Sequence, residues 1–323
     1  MDSVTSAPRG HSPASRWSGA YGGSVNAIAL TADGSLLAAG SMDGSIAIWD
    51  TQLRSHVATP LGHRQMVRSV AFSPDGALLA STGVDRQVIV WDLRTFRRLS
   101  TLSGHQDEVY RVAFSPDGKR LVSAGADRSV MLWDTATFEP VATLQAHRCG
   151  VTGLAFGSDG KRLASWSHDG TVIHWDAAAG VPAQITSEPK VYGHCAPVSG
   201  NGPCDRNAVI ERPEFGPDLK QLVGGLGCTR QLIVCDVEDV APPALLDGQR
   251  EGVWSLAISA DGTHLASGSV DGGVLLWDLP HRKALARLDG HQGRIVTALA
   301  FSADGRQLAA AGGTPVLLWR VEP

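Results

Sequence analysis

Tryptophan recurs in this chain at an interval of 42 residues, and that spacing limits the possible folds more than any other feature. Six tryptophans obey it, four in one run and two in a later pair: Trp49, Trp91, Trp133 and Trp175, then Trp277 and Trp319. Cys235 stands 42 residues before Trp277 and 60 after Trp175. A fixed period of this length is typical of a repeat architecture. The sequence therefore predicts seven similar units, with 18 additional residues between the fourth and the fifth.

Each unit has the pattern of short antiparallel strands. The second unit reads VRSVAFSPDG, then ALLASTGVD, then RQVIVWD. Runs rich in β-branched residues, separated by Pro-Asp-Gly or Asp-Arg turns, predict strands joined by tight hairpins. The apolar residues show no helical periodicity. We therefore predict an all-β protein built from short antiparallel strands.

Two dipeptides recur at fixed places in the units. Gly-His stands at 62–63, 104–105 and 290–291, and Trp-Asp begins at 49, 91, 133, 175 and 277. A unit of four short strands that is entered through Gly-His and ends in Trp-Asp resembles the WD40-repeat family, here over roughly residues 17–320. The resemblance implies a seven-bladed β-propeller of four-stranded antiparallel blades. A strand from residues 16–20 would pair with the last blade and close the ring, which leaves only short edges.

The resemblance also implies a buried hydrogen-bonded tetrad in each complete blade, made of a His, a strand Ser, a turn Asp and the Trp. Blades two, three and four supply it at constant spacing: His63, Ser81, Asp85 and Trp91; His105, Ser123, Asp127 and Trp133; His147, Ser165, Asp169 and Trp175. A satisfied polar network of this kind rigidifies a small β unit. Because catalytic sets are not copied three times at one spacing, we interpret these residues as structural.

The remaining blades depart from the tetrad. Tyr21 and Ala39 stand at the His and Ser positions of the first blade, and Gln249 replaces the His of the sixth. The seventh has Ala309 and Gly313 at the Ser and Asp positions, and the fifth keeps almost none of the pattern. We therefore expect blades two to four to be the most regular.

In the family, three positions in each blade point towards a bound partner: three and five residues after the His, and one before the Asp. Carried over to this chain, they predict nine partner contacts: Asn26, Met42, Met66, Arg68, Glu108, Tyr110, Thr152, His168 and Trp254. Val270 and Ile295 occupy corresponding positions in the sixth and seventh blades. Trp, Tyr and Arg dominate binding hot spots, so Trp254, Tyr110 and Arg68 are the strongest predictions. The alternative is that Trp254 or Tyr110 only packs against the neighbouring blade.

The additional residues form a predicted loop around 188–206 that enters blade five, since Pro and Gly punctuate the segment. Three interpretations of the nearby cysteines remain open. They are free thiols, or Cys195 and Cys204 form a disulfide, or a zinc ion is bound. The metal-ligand candidates lie in this quarter of the ring: Cys149, Cys195, Cys204, Cys228 and His194, with His168 beside them. No CxxC spacing favours the zinc site.

Composition excludes several functional classes. Hydrophobic residues make up 43% of the chain and charged residues 19%, with a formal net charge of −4. This balance is typical of a soluble globular protein and argues against general binding of nucleic acid or anionic membranes. We expect residues 1–15 to form a disordered tail without a signal peptide and residues 16–323 to form one propeller domain. The expected protein is cytoplasmic and monomeric by itself.

No phosphate-binding loop, nucleophile elbow or HExxH motif occurs in the sequence. We therefore predict a protein that has no catalytic activity or cofactor and that holds other proteins or peptides on one propeller face. Two alternatives remain open. One is an enzyme or metal-binding protein that uses the cysteine and histidine cluster at the mouth of blades four and five. The other is a regulatory module that acts in trans with a signalling protein.

Overall fold

The computed structural model describes residues 13–17, 23–177, 181–186, 210–226, 230–237, 243–313 and 315–321. These residues form strands and turns, and none of them is helical. In chain order the strands are β1 (Ser15–Trp17), β2 (Val25–Leu30), β3 (Leu36–Ser41), β4 (Ile46–Asp50), β5 (Ser55–Ala58), β6 (Val67–Phe72), β7 (Leu78–Gly83), β8 (Val88–Asp92), β9 (Arg97–Leu102), β10 (Val109–Phe114), β11 (Arg120–Gly125), β12 (Ser129–Asp134), β13 (Pro140–Gln145), β14 (Val151–Phe156), β15 (Arg162–Ser167), β16 (Val172–Asp176), β17 (Val181–Thr186), β18 (Ile210–Phe215), β19 (Gln221–Leu226), β20 (Leu232–Asp236), β21 (Ala244–Leu246), β22 (Val253–Ile258), β23 (His264–Ser269), β24 (Val274–Asp278), β25 (Lys283–Leu288), β26 (Ala298–Phe301), β27 (Gln307–Ala311) and β28 (Val316–Arg320).

The strands assemble into seven four-stranded antiparallel sheets. Strands β2 to β5 form the first blade, and each following group of four forms the next, through the sixth. Strands β26, β27 and β28 form the seventh blade together with β1. The first strand of every blade contacts the first strand of both neighbouring blades, and β26 contacts β2, so the inner strands form a closed ring. The predicted seven-bladed propeller is confirmed.

Strand β1 closes the ring. It pairs antiparallel with β28, with Ser15 opposite Leu318 and Trp17 opposite Val316. The backbone N–H of Ala14 extends this pairing by donating to the carbonyl of Leu318 at 2.7 Å. The predicted closure is confirmed, although the strand spans Ser15–Trp17, and residues 18–20 of the predicted segment lie outside the described residues.

The apolar core lies between successive blades rather than in one centre. Seven clusters fill the gaps, each built from two neighbouring blades. Trp91 of blade two, for example, packs with Ile48 of blade one. The middle strands are therefore buried on both faces, which explains why they read as continuous apolar runs rather than alternating ones. Trp17 is 4% exposed in the cluster that joins blade seven to blade one.

The recurring Ser-x-Asp-Gly segments form the first turn of blades two, three, six and seven. In blade two, Ser73 Oγ donates to Asp75 Oδ1, which also accepts from the backbone N–H of Ala77 at 3.0 Å. Gly76 follows with φ +69°, a conformation that glycine adopts without steric cost. The hydrogen bond from Ser73 and that from the Ala77 N–H hold the pKa of Asp75 below its ordinary value. Hydrogen bonds between adjacent residues and a glycine with positive φ therefore determine the geometry of these hairpin turns.

Antiparallel order assigns each connection to one of the two faces of the ring. The loops that enter the blades and the turns between the second and third strands lie on the same side, which we call the entry face. The described part of this face includes the entry loops 59–66, 103–108, 146–150, 247–252 and 289–295, and the turns 42–45, 84–87, 126–128, 168–171 and 270–273. The first and third turns of each blade lie on the opposite face.

Candidate functional site

The tetrad of blade three lies beneath the entry face. Asp127 Oδ2 is 2.9 Å from Nδ1 of His105, and the hydroxyl of Ser123 is 2.8 Å from the other ring nitrogen. Trp133 Nε1 donates to the same hydroxyl at 2.9 Å. The His105 side chain is 1% exposed, so it is closed to a substrate. The arrangement links the entry loop, two strands and a turn, which is a structural role.

Blades two and four contain the same arrangement. In blade two, the ring nitrogens of His63 lie 3.0 Å from Asp85 and 2.8 Å from Ser81. In blade four, those of His147 lie 3.4 Å from Asp169 and 2.7 Å from Ser165. Trp91 and Trp175 each donate to their Ser at 2.8 Å. The structure thus brings together all three predicted sets. In blade four Thr171 Oγ1 adds a contact, 3.1 Å from Nδ1 of His147.

The tetrad carboxylates have lowered pKa values. Burial alone would raise the pKa of Asp127, but hydrogen bonds from His105 and Ser129 outweigh it and hold the pKa well below 3.8. The same balance of burial against the His bond lowers the pKa of Asp85 and of Asp169. These carboxylates are therefore ionised and fully engaged, and they are not free to act as general acids or bases at neutral pH.

Blade six rebuilds the network with different residues. Gln249 Nε2 donates to Ser267 Oγ, and Trp277 Nε1 donates to the same hydroxyl at 2.7 Å. Asp271 has no His partner; instead Arg287 Nη2, from the outer strand, donates to its Oδ2 at 2.8 Å. Sequence reasoning missed Arg287. The sequence feature that could have indicated this role is Gly273, because a Cβ at that position would lie 2.1 Å from the Arg287 guanidinium.

Blade seven keeps the His without its partners. His291 is 3% exposed, and neither ring nitrogen has a side-chain hydrogen-bond partner. Ala309 and Gly313 provide no side-chain acceptor at the Ser and Asp positions. Burial lowers the pKa of His291 to about 4 because no carboxylate compensates for the desolvated charge. The ring is therefore neutral in the folded protein at neutral pH.

The buried His291 should make the protein sensitive to mild acid. Between pH 6.5 and about 4 the unfolded chain binds a proton at this residue and the folded chain does not. The free energy of unfolding should therefore fall with falling pH, by at most about 1.4 kcal/mol per pH unit. Replacing His291 with Gln, the residue that blade six uses, should remove this component. Denaturant midpoints at pH 7 and pH 5 measure it; equal pH dependence of the two proteins would contradict the assignment.

The mouth of the central channel holds a charged network between blades two and three. Arg68 Nη2 donates to Glu108 Oε2 at 2.7 Å, and its guanidinium lies 5.6 Å from the ring centre of Tyr110. Each charged side chain of the pair is about one-third exposed, 32% and 29%. Three predicted partner contacts therefore form one unit, so a change of Arg68 also releases Glu108 and Tyr110.

A second ion pair crosses the channel wall from blade three to blade five. Arg111 Nη2 donates to Glu214 Oε1 at 2.9 Å, and its Nε donates to the carbonyl of Thr152 at 2.9 Å. The intervening blade four has Gly153 at the matching position, where a Cβ would lie 2.9 Å from Trp166. Burial raises the pKa of Glu214 above its ordinary value, while the Arg111 guanidinium opposes that shift. The sequence carried no signal for this pair.

Other channel side chains join adjacent blades. Asn26 Nδ2 donates to the carbonyl of Val67 at 3.2 Å, and Thr297 Oγ1 donates to the carbonyl of Val25 at 2.6 Å. Ser255 Oγ donates to the carbonyl of Val296 at 2.8 Å. Each bond connects the inner strand of one blade, or the residues directly before it, to the corresponding part of the next blade. Asn26, which we predicted as a partner contact, therefore has a structural hydrogen bond at the channel.

The other predicted contacts lie on or near the entry face with different exposure. Met42 is 50% exposed and Trp254 is 37% exposed, and His168 is exposed as well, whereas Met66 and Thr152 are half-buried. The channel forms a cavity of about 930 Å³ that is lined by Trp254, Tyr110 and His168 together with both ion pairs. The face therefore combines an open mouth, two aromatic side chains and internally paired charges.

The cysteine quarter is only partly described. Cys149 is disulfide-bonded, so its interpretation as a free thiol is wrong, and it has no thiolate to offer a zinc ion. Cys235 is free and 5% exposed, and burial raises the pKa of its thiol to about 11. Cys195, Cys204, Cys228 and His194 lie outside the described residues, as does the predicted loop 188–206. Within the described ranges, no three potential ligands are grouped as a metal site.

The part of the chain that the structure describes contains no helix with the length and hydrophobicity of a membrane span.

Comparison with known proteins agrees with this geometry. Two relatives are similar over short stretches: human cilia- and flagella-associated protein 52, 34% identical over 113 residues (32% of this chain and 18% of the relative), and the small ribosomal subunit protein RACK1y of Oryza sativa subsp. japonica, 42% identical over 77 residues (24% and 22%). The chain thus aligns with about a fifth of each relative. The model of the WD domain, G-beta repeat, matches residues 11–50, 54–92, 96–134, 138–176, 241–278 and 282–314, more than half of the chain. The chain belongs to the WD40-repeat family.

Proposed function

We propose that this protein is a non-catalytic interaction scaffold that binds other proteins or peptides on its entry face. The observation that carries the proposal is Trp254, a large aromatic side chain that remains 37% exposed at the channel mouth. The six other propeller tryptophans at the repeat spacing are buried in the blade cores. An aromatic side chain exposed beside a concave mouth is typical of a binding hot spot.

The titratable groups of the tetrads and of the channel mouth pair with one another, which supports a scaffold rather than an enzyme. The tetrad histidines and aspartates are paired with one another beneath the surface. The charged groups at the mouth form the pairs Arg68–Glu108 and Arg111–Glu214. A general acid or base needs a group that reaches a substrate. The names of the two relatives, one associated with cilia and flagella and one with the small ribosomal subunit, agree with a role inside larger assemblies.

The test is a pair of aromatic substitutions. Trp254→Ala combined with Tyr110→Ala should reduce partner recovery in affinity purification from the native source at least about tenfold. The reason is that hot-spot aromatic side chains contribute roughly 2 kcal/mol or more to the binding free energy. The melting temperature should stay nearly unchanged, since neither side chain belongs to a blade core.

The matched control uses apolar side chains of similar exposure on the outer edge of the ring. Leu99 and Leu245 are 45% and 40% exposed there. Leu99→Ala with Leu245→Ala should leave partner recovery intact. Partners that survive the aromatic double substitution, or that are lost with the control, would contradict the assignment of the entry face.

A further inference from the structure

Five of the predicted partner contacts are β-bulge residues of the inner strands. In blades one to four and in blade six, the register between the first and second strands skips one residue, which the ladder leaves unpaired: Asn26, Arg68, Tyr110, Thr152 and Trp254. A bulge re-aims a side chain but gives it no ladder partner that would hold it. Asn26 and Arg68 are held instead by hydrogen bonds to the neighbouring blade. The position of such residues at the channel mouth therefore depends on contacts between blades.

Thr152, the bulge residue of blade four, is held from blade three. Nε of Arg111 donates to the Thr152 carbonyl at 2.9 Å. Among the described residues no group forms a hydrogen bond with the buried Thr152 hydroxyl, and Gly153, the next residue, has no side chain that could. Arg111 therefore fixes this bulge through its backbone.

Arg111 is itself anchored on blade five. Its Nη2 donates to Oε1 of Glu214 at 2.9 Å, so one guanidinium joins three consecutive blades. Arg111 also follows directly after Tyr110, the bulge residue of its own strand. Tyr110 and Thr152 line the channel cavity together with Trp254. The orientation of the Arg111 side chain therefore affects two residues of the channel mouth.

Arg111 and Glu214 both depart from the repeat. The residue after the bulge is small in the other bulged strands: Ala27, Ser69, Gly153 and Ser255. The penultimate residue of the inner strand is alanine in the six other blades: Ala29, Ala71, Ala113, Ala155, Ala257 and Ala300. Nothing in the sequence shows that the two departures meet. The blades form without either charge, so the blade fold does not require this ion pair.

Folding stability does not account for the pair. The side chains of Arg111 and Glu214 are 32% and 30% exposed, and ion pairs of such exposure add little to the free energy of unfolding. Burial also raises the pKa of Glu214, so its ionised form is maintained against a desolvation cost. The contribution that remains for this pair is a defined geometry of the three blades that it joins.

We propose that Arg111 is a positioning residue of the entry face. Anchored by Glu214, it fixes the bulge of blade four and thereby the placement of Thr152 and Tyr110 at the channel mouth, without contacting the partner itself. This inference rests on the proposed function and identifies residues that act on the same site from behind. Binding at the mouth should therefore depend on Glu214, although Glu214 belongs to none of the predicted partner contacts.

The probe is a synthetic peptide of about 12 residues, roughly 40 Å when extended, selected from a displayed random library on the full chain. It is used only if Trp254→Ala or Tyr110→Ala weakens its binding. Arg111→Ala should weaken this peptide at least about fivefold, because two contact residues lose their ordered positions. Titration calorimetry measures the affinity, and the melting temperature should stay within about 3 °C of the native value.

Glu214→Ala separates positioning from direct contact. It introduces the residue that the six other blades carry, so the blade should fold normally. The affinity should fall in the same direction and by a similar factor as with Arg111→Ala. The double variant should bind no more weakly than Arg111→Ala alone, because the two residues act through one contact.

Amide exchange provides a second readout that does not need a partner. In both single variants, peptide fragments that contain Thr152 and Gly153 should exchange at least about threefold faster than in the native chain, because the bulge loses its hold from blade three. Mass spectrometry of the full chain at neutral pH measures the exchange. Fragments from the distant strand β6 should exchange at the native rate.

The ion pair between Arg120 and Asp134 of blade three supplies a matched control. Its side chains are 37% and 29% exposed, close to the values for Arg111 and Glu214. Arg120 begins β11 and Asp134 ends β12, on the opposite face. Arg120→Ala should leave the peptide affinity within about twofold, because screening at physiological salt limits longer-range effects.

The outcomes separate the two proposals. A peptide that binds Arg111→Ala as tightly as the native chain overturns the positioning role, while its dependence on Trp254 or Tyr110 leaves the proposed function standing. Loss with Arg111→Ala but not with Glu214→Ala also overturns it, since Arg111 would then contact the peptide. Native exchange rates around Thr152 in both variants overturn it as well. If no selected peptide depends on Trp254 or Tyr110, both proposals are contradicted.

Discussion

Deleting residues 1–22 should lower the melting temperature of the whole ring. The deletion removes β1, which supplies the fourth strand of blade seven, and leaves the edge of β28 unpaired. It also removes Trp17, which is 4% exposed between blades seven and one. Trp17→Ala alone should cost about 3–5 kcal/mol of unfolding free energy. Scanning calorimetry should show a fall of roughly 5 °C or more for a protein of this size.

Arg16 provides the control for this experiment. It lies on the same strand but is exposed, so Arg16→Ala should change the melting temperature by no more than about 1 °C. If Trp17→Ala melts at the temperature of the native chain, β1 does not close the ring. If the deletion melts in two steps, the blades unfold as separate units rather than as one closed structure.

Replacing Asp127 with Ala should destabilise the protein by about 3 kcal/mol. The change leaves Nδ1 of His105 without its carboxylate at a site where the ring is 1% exposed, and removal of one partner of a buried pair is costly. It also removes the acceptor of the Gln106 backbone N–H, now bound at 2.8 Å. Denaturant unfolding monitored by tryptophan fluorescence measures the change.

The loss should depend on pH in a defined direction. The pKa of Asp127 is lowered in the folded protein, so its stabilising effect is present above pH 3.8, the ordinary value, and is lost as the pH falls below that. The difference between native protein and variant should therefore shrink in acid. Asp107→Ala is the control, because this exposed carboxylate accepts only the N–H of Glu108, and the change should cost less than about 1 kcal/mol. If Asp127→Ala is as stable as Asp107→Ala, the structural role of the tetrad is contradicted.

Blades five, six and seven show how a repeat tolerates loss of its tetrad. Blade six recovers the hydrogen bonds with Gln249 and the charge pairing with Arg287. Blade seven leaves His291 buried without a side-chain partner, and blade five replaces the core tryptophan with the buried Cys235. Inter-blade packing and closure compensate, since each blade is held by two neighbours in the ring.

The 42-residue period determined the strands, the seven blades and the complete tetrads of blades two to four. It could do so because these features are local: hairpin turns are set by adjacent residues such as Ser73 and Asp75, and each tetrad lies within one unit. Closure was also predicted from the sequence, because residues before the first unit can supply a fourth strand to the seventh blade, and β1 does so.

Only the tertiary structure decided which side chains of different blades meet. Arg111 and Glu214 are 103 positions apart and pair across blade four, which has glycine at the matching position 153. Thr297 of blade seven bonds the carbonyl of Val25 in blade one because the first and last blades touch at the closure. Nothing in the repeat encodes these contacts, since a period describes what the blades share, and the surface of the ring depends on how they differ and which of them stand side by side.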